Sequence, residues 1–183
     1  MEKEIKSIDT FYSGYRFRSR LEARWAVFLD NLKIKWEYES EGFELSDGRR
    51  YLPDFYILNF SGGFYMEVKP SDFDFASIEA QIIKDFIIQK NTNLLMAIGP
   101  PDCSVYKMFE PAQDPINDSI IVVDGLYEWK VYFCDEYLVD EHRFFLEPGD
   151  ESFASKEYNP RVYQAVTASR SARFEYGERG GVK

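Results

Sequence analysis

Histidine is almost missing from this chain: His142 is the only one in 183 residues. Zinc sites built on two histidines are therefore excluded, as are nuclease sites that need a histidine pair. Ser-His-Asp or Cys-His chemistry would have to pass through His142. Its neighbours Asp140, Glu141 and Arg143 read as charged surface, where an exposed or capping histidine is the plain expectation. Cysteine is scarce as well. Cys103 and Cys134 lack metal-ligand spacing, and a reduced, cytoplasmic setting is the simplest reading. No apolar run reaches the roughly 18 residues of a membrane span, so no membrane contact is expected. Met1-Glu2-Lys3-Glu4 leads into no apolar stretch, so no signal peptide is expected either.

What is present suits one compact domain over residues 1–183. Hydrophobic residues make up 45% and aromatics 17%, enough large side chains for a sizeable core. The net charge of −10 argues at first against a polyanionic partner. Its distribution weakens that argument. Residues 1–50 are balanced, residues 101–150 carry −9, and residues 151–183 carry +2. The two ends could form a basic surface while the acidic segment faces away. That acidic segment could also dock a protein partner or mimic DNA.

Tyr12 to Arg18 mixes turn residues, aromatics and arginines, and predicts a loop or short extended piece. Ser19 and Glu22 form a capping-box pattern. Leu21, Trp25, Phe28, Leu29 and Leu32 then make one apolar stripe of a helix ending near Asn31 or Lys33. Ile34, Trp36 and Tyr38 alternate with charged residues, a half-buried strand. Phe43 to Leu45 leads into a hairpin turn at Asp47-Gly48. Arg50 to Leu58 reads as a strand at an edge or bulged at Pro53. Gly63 to Lys69 is the next strand. Asp74 to Lys90 reads as a helix with Phe75, Ile78, Ile82 and Phe86 as its core stripe. Asn93 to Ile98 is a buried strand. Residues 101–118 read as loop, Ser119–Val123 and Tyr127–Phe133 as strands, 147–160 as loop, and Pro160–Tyr176 as a last helix. The order α-β-β-β-α-β, followed by a β-rich acidic excursion over 101–158 and a C-terminal helix, predicts a mixed α/β domain with its core in about 11–100 plus 160–176.

The informative stretch is Pro53-Asp54 followed by Glu67-Val68-Lys69. A hairpin turning between Leu58 and Gly63 places Asp54 opposite Glu67, with Cβ atoms ~5 Å apart. Two like charges so close repel, and burial sharpens the repulsion. Either one takes a proton or a cation sits between them, and oxygen donors suit a hard ion such as magnesium. Period two puts Lys69 on the Glu67 face and Val68 on the core face. As a general base Lys69 would need a pKa well below ~10.4, so positioning and charge stabilisation come before proton transfer. Glu22, at the edge of its helix stripe, either reaches this site or closes the capping box on the Ser19 amide; the two are compatible. The plain alternatives are a turn acid after proline for Asp54 and an exposed strand pair for Glu67 and Lys69.

Pro53-Asp54, then Glu67-Val68-Lys69, preceded by a helix bearing Glu22, resembles the signature of the PD-(D/E)XK nuclease superfamily, the restriction-endonuclease-like fold. Phe17 to Ala26 resembles the first helix of small phage-encoded and other prokaryotic members, and Arg170 to Glu175 their C-terminal helix. The likeness covers about residues 11–100 plus the last helix. It implies a restriction-endonuclease-like core with a mixed sheet flanked by helices. It further implies a magnesium-dependent DNA endonuclease, with manganese as a substitute ion. Asp54, Glu67 and the Val68 carbonyl would hold the metal, and Glu22 would complete the shell directly or through water. Lys69 would orient or activate the water. Some members add a Gln or Lys from the following helix, for which Gln81 and Lys84 are candidates. DNA contacts would come first from Arg16, Arg18, Arg20 and Arg24, then from Arg161, Arg170 and Arg173, since guanidinium pairs well with phosphate. A homodimer would allow both strands to be cut, although no coiled-coil seam is visible. The competing reading is a catalytically inactive nuclease-fold protein that binds nucleic acid or a protein partner.

Overall fold

A computed structural model describes residues 9–59, 62–102, 106–114, 116–117, 119–124, 130–138, 141–149 and 160–174. The chain opens with a hairpin, β1 (Thr10–Tyr12) and β2 (Tyr15–Phe17), turned by Ser13 and Gly14 at positive φ. Helix α1 (Arg20–Asn31) follows. Ser19 caps it: its Oγ accepts the Glu22 amide at 3.1 Å. The reciprocal half of the expected capping box is different. The Glu22 carboxylate takes the Arg18 amide, not that of Ser19, at 3.1 Å.

Strands β3 (Trp36–Tyr38), β6 (Phe55–Asn59) and β7 (Gly62–Lys69) pair antiparallel in that order. Between them lies a small hairpin of β4 (Phe43–Glu44) and β5 (Arg50–Tyr51), turned through Gly48 at φ +83°. The single strand expected over Arg50–Leu58 is thus two, interrupted at Leu52-Pro53-Asp54 because Pro53 has no N–H for a ladder. Helix α2 (Ile78–Lys90) crosses over to β8 (Leu94–Ile98), which runs parallel to β7.

Residues 101–118 are not loop throughout. Strand β9 (Tyr106–Gln113) pairs antiparallel with β8. That ladder ends at Phe109, so on the β8 side Pro111 meets no strand that needs its missing N–H. β10 (Ile120–Asp124) and β11 (Lys130–Leu138) both pair with β9, and β12 (Glu141–Gly149) pairs with β11. The acidic excursion therefore continues the central sheet. Among the described residues that sheet has eight strands, with β7–β8 its parallel pair. Helix α3 (Pro160–Ser171) packs on α1 and ends short of Tyr176. Cys103, the tail from 175, residues 150–159 and the side chains of Cys134 and His142 lie outside the described residues.

The architecture is mixed α/β, three helices on a mixed sheet among the described residues. One sheet face sends Phe55, Ile57, Phe64, Met66, Val68, Leu95 and Ala97 against α1 and α3. The other packs Leu94 and Met96 against Ile83, Phe86 and Ile87 of α2, with Phe43, Leu45 and Tyr51. Two members of the expected α2 stripe are misplaced: Phe75 precedes the helix and Ile78 is 79% exposed. The helix starts at its Ser77 cap, and the buried face runs through Ala80, Ile83, Phe86 and Ile87. No described helix is long and apolar enough to cross a membrane.

Candidate metal centre

The β6–β7 register is Leu58↔Gly63 through Phe55↔Met66, so the next position sets Asp54 against Glu67. The ladder stops there, but the backbone is still held, because Glu39 donates its N–H to the Asp54 carbonyl at 2.9 Å. Glu39 does so at φ +45°, a left-handed conformation that costs a non-glycine residue ~1 kcal/mol.

Alternation along β7 decides which groups meet Asp54. Tyr65 donates its N–H to Asn93 on the β8 side. Val68, three residues on, therefore turns its N–H and carbonyl toward β6. With the ladder ended, Asp54 Oδ2 accepts the Val68 N–H at 2.8 Å. The Val68 carbonyl opens on the same side. Glu67 and Lys69 point to the α2 face. Glu67 Oε2 accepts the Tyr51 hydroxyl at 2.7 Å and lies 3.4 Å from the Asp54 N. Glu67 Oε1 accepts Lys69 Nζ at 2.5 Å. The short connection from β7 brings the first turn of α2 back to the strand's end, and Glu79 accepts Lys69 Nζ at 2.7 Å.

Asp54 and Glu67 are each 3% exposed and Glu22 is 7% exposed. Glu22 stands one link away. Its carboxylate accepts the Ser19 hydroxyl at 2.6 Å, the Tyr38 hydroxyl at 2.6 Å and the Arg18 amide. Arg18 then spans the gap: its Nη2 reaches Asp54 Oδ1 at 3.0 Å and its Nε reaches Glu39 Oε1 at 2.5 Å.

Five acids, Glu22, Glu39, Asp54, Glu67 and Glu79, thus face two cations, Arg18 and Lys69. The consequence falls on Asp54. Burial pushes its carboxyl well above the usual range, and the charges of Glu67 and Glu22 add to the rise. Lys69 goes the opposite way from a general base. Burial alone would lower its ammonium, but Glu67 and Glu79 outweigh it and raise the pKa, so the group stays protonated at neutral pH. Burial and Glu67 likewise raise Tyr51, which remains a neutral donor.

This donor set fits a hard divalent cation. It offers buried carboxylate oxygens, a backbone carbonyl and more negative charge than the neighbouring cations neutralise. It is not a finished cage: among the described residues no three acid, histidine or cysteine side chains converge on one point.

Of the residues singled out from sequence, Asp54, Glu67, Val68 and Lys69 come together directly, and Glu22 joins through Arg18 and Tyr38. Gln81 does not join: it is exposed and donates to Asp85 at 2.9 Å. Lys84 lines a small apolar cleft with Phe73, Phe75 and Phe109. Arg16 is an exposed side chain paired with Asp9. Arg20 and Arg173 are exposed, Arg161 and Arg24 are half-buried, and Arg24 Nε is buried without a hydrogen-bond partner among the described residues. Arg170 donates its Nε to the Pro101 carbonyl at 2.9 Å. Sequence reasoning missed Tyr38, Glu39, Tyr51 and Glu79. For Glu79 a signal existed: an acid in the first turn of a crossover helix lies near the end of the preceding strand. Comparisons of the chain with models of protein families, with curated proteins and with solved structures found no match.

Proposed function

We propose that this protein is a metal-dependent DNA endonuclease of the PD-(D/E)XK type, hydrolysing phosphodiester bonds with magnesium or, in its place, manganese. The observation that carries the reading is the buried pair Asp54 and Glu67, side by side where the ladder ends, with Lys69 on Glu67. Asp54, Glu67 and the Val68 carbonyl would hold the ion. When bound, such an ion polarises the phosphate and makes a hydroxide-like nucleophile available at neutral pH.

The protein's own groups divide the rest of the work. Lys69 uses two of its three N–H donors on Glu67 and Glu79. The third, with no hydrogen bond among the described residues, would orient a water or meet a phosphate oxygen as negative charge develops there. Glu22 acts through others, fixing the Arg18 backbone and the Tyr38 hydroxyl. Arg20 and Arg173, exposed on α1 and just after α3, would take DNA phosphates.

One observation favours the alternative, an inactive nuclease-fold protein that binds nucleic acid or a protein partner. Arg18 and Lys69 already occupy an oxygen of each central carboxylate, so the site is partly satisfied without an ion.

The test is incubation of wild type and Lys69→Ala with supercoiled, linear and branched DNA, with and without magnesium. The nuclease reading expects metal-dependent cleavage, reduced by about 100-fold or more in Lys69→Ala. Binding without cleavage would favour the alternative. Neither binding nor a metal effect would leave a structural or interaction protein.

A further inference from the structure

Arg18 is placed unlike the other arginines among the described residues. Its side chain is 56% exposed, yet its Nη2 lies 3.0 Å from Oδ1 of Asp54, whose side chain is 5% exposed. A guanidinium on the solvent side thus plugs the outward oxygen of the central acid. Its Nε is ion-paired with Glu39 Oε1 at 2.5 Å, and Glu39, in a left-handed conformation, donates its N–H to the Asp54 carbonyl. Backbone strain at such a position persists only where the surroundings enforce it. Here Glu39 is held where its carboxylate meets the guanidinium. At the other end, the Arg18 amide is fixed by the Glu22 carboxylate and the Tyr38 hydroxyl. The main chain is anchored on the buried side, while more than half of the side chain's surface is open to solvent.

We infer that Arg18 is a built-in surrogate cation: it neutralises Asp54 while no divalent ion is bound, and an arriving ion must displace it. This rests on the metal-site reading above. Two consequences of opposite sign follow. Removing the guanidinium strips Asp54 of its counter-charge and weakens the metal-free fold. The same removal takes away a competitor and a like charge, so the ion binds more tightly. A purely structural arginine would give only the first effect. Once displaced, the guanidinium stays tethered at the rim of the site, where an incoming phosphate would meet it.

The experiment is calorimetric titration of manganese into wild type, Arg18→Gln, Arg18→Lys and Asp54→Asn, with thermal melting of each in the absence of metal. Arg18→Gln should bind manganese about five- to tenfold more tightly than wild type and melt at a lower temperature without it. Arg18→Lys keeps the charge and should stay within about twofold of wild-type affinity. Asp54→Asn should lose most of the binding. If Arg18→Gln does not fold, Arg18→Met, which retains the apolar stem, gives the same readout. Equal or weaker binding by the charge-removing variants, with Asp54→Asn still losing the ion, overturns the surrogate role and leaves the metal site intact. No manganese binding in any protein, or binding indifferent to Asp54→Asn, overturns the metal site and the surrogate role with it.

Discussion

The β6–β7 pair is two different structures on either side of Phe55. From Phe55 to Asn59 it is a regular ladder, and Phe55, Ile57, Phe64 and Met66 bury their side chains under α1 and α3. Each such side chain contributes ~1.5–3 kcal/mol by leaving water. Beyond Phe55 the same two chains hold Asp54, Glu67 and Lys69, nearly as buried but charged, with Tyr51, Arg18 and Glu79 supplying partial compensation. Burying unbalanced acids opposes folding. The site's stability therefore comes from the apolar half of the same hairpin. The apolar half of the hairpin fixes the register, and the register holds two acids together that would otherwise move apart.

That contrast can be broken from either half. The largest effect is expected in the apolar half: Met66→Ala, at a fully buried position, should cost about 2–4 kcal/mol in urea unfolding. A smaller effect, opposite in sense, is expected at Asp54. Its folded pKa is raised, so the native state gives up this proton at a higher pH than the unfolded chain does. The stability of the metal-free protein should therefore fall as pH rises from ~4, the unfolded carboxyl value, through the higher folded one. In Asp54→Asn this contribution to the pH slope should vanish, and the variant should be the more stable of the two at neutral pH. Third in size, Ser19→Ala removes the α1 cap and one donor to Glu22, and should cost ~1 kcal/mol in the same unfolding assay. Least of all, Ile78→Ala should change stability by less than about 0.5 kcal/mol, because that side chain is 79% exposed; Ile83→Ala should cost several times more.

The two halves were not equally legible in the sequence. The hairpin register was, because a short turn between Leu58 and Gly63 leaves one pairing that keeps Phe64, Met66 and Val68 on one face. The same arithmetic brought Asp54 to Glu67 and set Lys69 beside Glu67. The α2 stripe was not legible. Its paired isoleucines, Ile82-Ile83 and Ile87-Ile88, support two neighbouring faces, and the choice was made by packing on Phe43, Tyr51 and Met96. Strand β9 was hidden by Pro111, whose effect on a ladder depends on which neighbour it faces. The ring of partners around the acids was hidden for a related reason. Tyr38 and Tyr51 lie in different strands, and nothing local marks a tyrosine hydroxyl as the donor to a carboxylate sixteen residues away.

Asp54 and Glu67 are proposed to hold a divalent cation. Thermal melting of wild type and Asp54→Asn, each with and without saturating manganese, tests this without reference to any substrate. Without metal, Asp54→Asn should melt above wild type. With manganese, wild type should rise by several degrees and the variant hardly at all, closing or reversing the order. A wild-type melting temperature indifferent to manganese, or an equal rise in both proteins, would contradict the account.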